Sequence, residues 1–135
     1  MKKKKKKPEP MWRLIDSVCH LAEELESKYP PDESGFCPSN TLLTGAAIMS
    51  KMDVYVLRLA QYIEKRQTGI DCEMPDQPPD VLVPLWQEFA KLPDVVEFDR
   101  PARMMLKRAR KRMGELGVRV ASMLEEIGDD EWGQD

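Results

Sequence analysis

Residues 100–127 read RPARMMLKRARKRMGELGVRVASMLEEI. Within them Ala102, Leu106, Ala109, Met113, Leu116, Val120, Leu124 and Ile127 recur at steps of three and four. That spacing puts them on one face of a helix, which completes a turn every 3.6 residues. Asp99 is placed to cap this helix, and Pro101 falls in the first turn, where a missing N–H costs least. Gly114 and Gly117 are poor helix formers, at about 1 kcal/mol each relative to alanine. They are read as a bend or a tight crossing. Gly128 and Asp129-Asp130 are expected to end the helix.

Three earlier helices follow from the same kind of spacing. Met11, Leu14, Ile15, Val18, Leu21, Ala22, Leu25 and Tyr29 predict a first helix, stopped by Pro30-Pro31. A second is predicted over residues 41–67, with Ser39 or Asn40 as its cap and Gly69 as its stop. Its stripe is Ile48, Met52, Tyr55, Val56, Leu59, Tyr62 and Ile63, and Gly45-Ala46-Ala47 marks a close helix approach. A short third helix over residues 81–92 carries Leu82, Leu85, Trp86 and Phe89, with Asp80 as cap and Pro93-Asp94 as breaker. No long stretch alternates with period two. Asp94 to Phe98 is ambiguous, but one strand cannot stand alone. The reading is all-α: a small up-down bundle of about four helices, the third one short. Residues 1–10 are expected to form a disordered lysine-rich arm, 11–128 the single bundle domain, and 129–135 an acidic tail.

The chain has 135 residues, 41% of them hydrophobic, enough for one core. No apolar run approaches the ~18 residues of a membrane span. Arg13, Asp16 and His20 interrupt the segment after the lysines, which argues against a secretory signal. Three irregularly spaced cysteines do not make a disulfide scaffold and favour a reducing compartment, so a cytoplasmic location is expected.

The net charge of −3 conceals a strong segregation. Residues 2–7 are six lysines, and residues 8–99 carry 7 basic and 17 acidic side chains. Residues 100–119 carry eight cations and one acid, and residues 120–135 six acids and no cation. Arg100, Arg103, Lys107, Arg108, Arg110, Lys111, Arg112 and Arg119 are expected opposite the Leu106–Met113–Val120 stripe. Like charges four residues apart, such as Arg103–Lys107 and Lys107–Lys111, cost helix stability. Such a density exceeds what solubility requires and points to an anionic partner. The first expectation is therefore a non-enzymatic accessory protein. It would bind RNA or DNA, or a nucleoprotein complex, through the fourth helix, with the lysine arm as a tether. A membrane surface is disfavoured because the apolar face of this helix is needed for the core. Self-association into a homo-oligomer is also expected.

Two other classes compete. A protein–protein adaptor or inhibitor would use the acidic surface or Trp132, which stands among Asp129, Asp130 and Glu131 as a short docking segment would. A tryptophan folded back on Arg119 is the plainer alternative. Nine methionines suit an adaptable interface, though most are expected in the core. The third class is a metal-dependent hydrolase. Asp16, His20, Glu23 and Glu24 share the polar side of the first helix, and Glu23 and Glu26 form an E-x-x-E pair. That pair resembles the one in all-α nucleoside triphosphate pyrophosphohydrolases of the MazG type. The resemblance implies magnesium held together with an E-x-x-D on a later helix. Here Asp53 is suitably spaced, but Ser50 stands three residues before it in place of glutamate. A zinc site from Cys19, His20, Cys37 and Cys72 lacks a close cysteine pair. One histidine, no P-loop and no G-x-S-x-G leave no catalytic residue to name. No cofactor and no metal are expected.

Overall fold

The computed structural model of the protein describes residues 10–132. It contains four helices and, among the described residues, no strand: α1 Met11–Lys28, α2 Pro38–Gln67, α3 Leu82–Val95 and α4 Arg100–Trp132. The lysine arm falls on residues 1–9, outside the described residues, as do the last three residues and the side chain of Trp132.

α1 buries Met11, Leu14, Val18, Leu21, Ala22 and Leu25, the face its spacing predicts. Full burial of a leucine or valine side chain contributes about 1.5–3 kcal/mol. Tyr29 does not join them. It sits one residue past the helix in an extended conformation and stays 38% exposed.

The connection between α1 and α2 is tied by Asp32. Its Oδ1 accepts hydrogen bonds from the Ser34 hydroxyl at 2.6 Å and from the Ser34 and Phe36 N–H groups at 2.9 and 3.0 Å. The Ser34 hydroxyl, then these N–H groups, hold its carboxyl below the usual range. Gly35, at φ +87°, supplies the turn that an L side chain resists.

α2 begins three residues before the predicted start. Pro38, with its φ already helical, occupies the first turn, so no Ser39 or Asn40 cap is needed. Ser39 instead turns inward, buried, with its Oγ 3.1 Å from the Cys37 thiol. Gly69 ends α2 as expected. At φ +80° it lets its own N–H reach the Arg66 carbonyl at 3.1 Å and the Ile70 N–H the Lys65 carbonyl at 2.8 Å. This is a Schellman closure.

α3 differs at both ends from the predicted 81–92. No side chain caps its start, and the Asp80 carbonyl accepts the Val83 N–H at 3.1 Å instead. Pro93 lies inside the last turn rather than breaking it. The chain leaves the helix at Val96, whose N–H still reaches the Leu92 carbonyl at 2.9 Å. Val96 and Phe98 are buried without forming a strand.

α4 is capped as predicted, the Asp99 carboxylate accepting the Ala102 N–H at 2.9 Å. It then runs on through Gly128 to Trp132, one turn beyond the expected end. Gly128 stays helical because the ~1 kcal/mol cost of glycine alone does not break an established ladder. Residues 129–132 of the expected acidic tail continue the backbone of α4, and 133–135 lie outside the described residues.

One contiguous core joins all four helices. α2 is its hub and packs against each of the other three. α1 lies along α2 in the most extensive interface, while α3 and α4 meet only narrowly. Phe89 is the largest fully buried side chain and sits in the α2–α3 seam. Gly45 makes that seam possible, since a Cβ there would collide with the Phe89 ring. The small-residue patch is therefore a close approach, as its sequence suggested, with Ala46 buried beside it and Ala47 exposed.

Candidate functional site

The cations of α4 stand in two rows. At 100° per residue, Arg100, Arg103, Lys107, Arg110 and Lys111 share an arc of about 100° and rise about 16 Å along the helix. All five are exposed, and no carboxylate among the described residues pairs with them. Arg108, Arg112 and Arg119 lie on the other flank. Arg112 is half-buried and faces Glu115 at 3.9 Å, while Arg108 and Arg119 are exposed. The eight candidate residues thus fan over an arc of about 200° opposite the core, the second group beginning about 60° round from the first. The helix period separates them, because Arg108 and Arg112 follow Lys107 and Lys111 by one residue.

Below the first row the bundle is open. α3 and α4 diverge over α2 and leave a trough of about 810 Å³. Ile48 and Met52 of α2 form its floor. Leu82, Val83, Trp86 and Ala90 of α3 line one wall. The α4 wall carries Lys107, Arg110 and Lys111 with Met113, Gly114 and Gly117. Neither glycine has a neighbour within 4 Å of where a Cβ would stand. They do not mark a tight crossing, as the sequence reading held. They thin the α4 wall where it faces solvent.

Trp86 is half-buried, not core. Its ring stacks on Phe89 with centroids 4.7 Å apart and 24° between planes, and lines the trough. The sequence reading missed the trough. Its available signal was Gly114 and Gly117, three apart, the first on the arc of the first cationic row and the second about 20° beyond its core-side edge.

The other candidates stay apart. Trp12 is 64% exposed, with the Arg13 guanidinium 5.4 Å from its ring centre. The backbone of α4 reaches Trp132, but that side chain lies outside the described residues, so both readings of it fall outside them too. Among the described residues no three His, Cys, Asp or Glu side chains converge to hold a metal ion, in the zinc set or the magnesium set. Burial, then Asp16 and Glu23, push the Cys19 thiol up, away from the thiolate that zinc requires. The Ser39 hydroxyl and the Asn40 N–H pull the Cys37 thiol down, but it is buried alone at the start of α2. No described helix is long and apolar enough to cross a membrane.

No family model, no curated protein and no solved structure matches the chain. The geometry of α4 and its trough therefore carries the functional argument.

Proposed function

We propose that this protein is a non-enzymatic accessory protein that binds nucleic acid, free or within a nucleoprotein complex, through the first cationic row of α4. One observation carries the reading. Arg100, Arg103, Lys107, Arg110 and Lys111 are exposed, share one arc and have no acidic partner among the described residues. Cations assembled against their own repulsion suit a polyanion, and phosphates spaced along a strand can engage a row about 16 Å long. The binding proposed is mainly electrostatic, through phosphates, which carry no sequence information.

Five phosphate contacts on duplex DNA imply a roughly 10²–10³-fold loss of affinity between about 50 and about 200 mM salt. Fluorescence anisotropy with a short RNA and a short duplex, with and without residues 1–10, tests this. Converting Arg100, Arg103, Lys107 and Lys111 to glutamate should abolish binding and leave the helical circular dichroism intact. Converting Arg108 and Arg119 should weaken it far less. Full affinity in the first variant, or equal losses in both, refutes the assignment to this row.

A further inference from the structure

We infer that the trough between α3 and α4 is a docking site for an acidic amphipathic helix of a partner protein. It lies where one more helix of the bundle would pack, over α2 and between two helices that scarcely touch. Its floor and far wall are apolar, and Val83 is 61% exposed on that wall. An apolar stripe with helical spacing fits such a surface.

The charge completes the assignment. Lys107, Arg110 and Lys111 stand on the α4 rim, one helical turn from first to last, with no acidic partner among the described residues. No cation lines the α3 side. The occupant therefore carries carboxylates along one flank at steps of three and four. Beyond the cations the same rim has Gly114 and Gly117, over which a partner backbone can approach closely.

Two other occupants fit less well. Single-stranded nucleic acid stacks successive bases on successive aromatic faces. The trough offers one indole, already covered on one side by Phe89. A fatty-acid anion is held where most of its surface is enclosed, and this trough is open along its length.

The test uses the full chain and a fluorescent synthetic peptide of about five helical turns. The peptide has leucines at i, i+3, i+4 and i+7 repeats, glutamates on one flank, and a scrambled control of equal charge. The decisive variant is Gly114→Leu with Gly117→Leu, which fills the trough and removes no charge. Leucine is the better helix former and has open space there, so the variant folds. The peptide should bind at least tenfold more tightly than its scramble. The filled variant should lose at least tenfold of that affinity at an unchanged or higher Tm. Lys107→Glu with Lys111→Glu should lose a similar amount.

Equal binding of the scramble would reduce the interaction to charge alone and overturn the proposal. So would undiminished binding to the filled variant. Oleate or single-stranded RNA that binds only the unfilled trough, where the peptide does not bind, would assign it to those ligands instead. The outcome is separable from the nucleic-acid reading. Filling the trough spares the phosphate contacts of the cationic row, and peptide binding stands or falls without RNA.

Discussion

α3 borders two spaces that look alike on a helical wheel and behave in opposite ways. Toward α2 it presses Phe89 against Gly45, and the seam is closed to the point that no Cβ fits. Toward α4 it presents Trp86 and Val83 to a trough in which Gly114 and Gly117 meet nothing. In each case glycine occupies a helix interior at a propensity cost of about 0.5–1 kcal/mol. At Gly45 the packing of the largest buried ring offsets that cost. At Gly114 and Gly117 no neighbour among the described residues offsets it.

The largest effect tests whether the two spaces are independent. Phe89→Ala removes a fully buried ring and should cost about 3–5 kcal/mol, read by urea denaturation. It also deprives Trp86 of its stacking partner. Peptide affinity for the trough should therefore fall together with stability. If stability falls and the trough binds as before, the wall does not depend on the seam.

Alanine in place of glycine should act with opposite sign at the two places. Gly45→Ala gains about 0.5–1 kcal/mol of propensity but drives a methyl into Phe89, an overpacking cost of about 1–3 kcal/mol or more. The stacked Trp86 restrains that ring, so a net loss is expected. Gly114→Ala and Gly117→Ala meet open space and should each stabilise by about 0.5–1 kcal/mol. Thermal melts of the three single variants decide the matter. Stabilisation at all three would mean that Phe89 yields readily and that the seam is no tighter than the trough.

Much of the fold was legible because periodicity reports faces. The stripe of α4, the Asp99 cap, the Gly69 stop and the close approach at Gly45 all follow from side-chain spacing or local backbone chemistry. Periodicity says nothing about how far apart two helices lie. The narrow contact of α3 with α4 was therefore invisible, and spacing did not distinguish Trp86, which borders the core, from Phe89 within it. The core stripe is also wider than the strict steps suggested, since Met105 and Met123 are buried on its edge. Helix ends were misplaced where proline was read only as a breaker. Pro38 opens α2, and Pro93 is carried within the last turn of α3. The cations were found, and their division into two rows follows from the helical step alone; the half-burial of Arg112 beside Glu115 needed the structure.

The smallest effect bears most directly on why the open side exists. Lys107 has a like charge four residues away on both sides, Arg103 and Lys111, and a third at Arg110. Each i,i+4 repulsion costs about 0.2–0.5 kcal/mol at low salt. Glutamine has nearly the same helix propensity as lysine, so Lys107→Gln isolates the charge. This variant should stabilise the bundle by about 0.5–1 kcal/mol at low ionic strength, with the gain fading as salt screens the row. The same change should weaken both polyanion and acidic-peptide binding. A residue whose removal strengthens the fold and weakens the contact is held in place by the contact. If Lys107→Gln instead destabilises the bundle at every salt concentration, Lys107 serves the fold through its packed stem, and the cationic row loses its central argument.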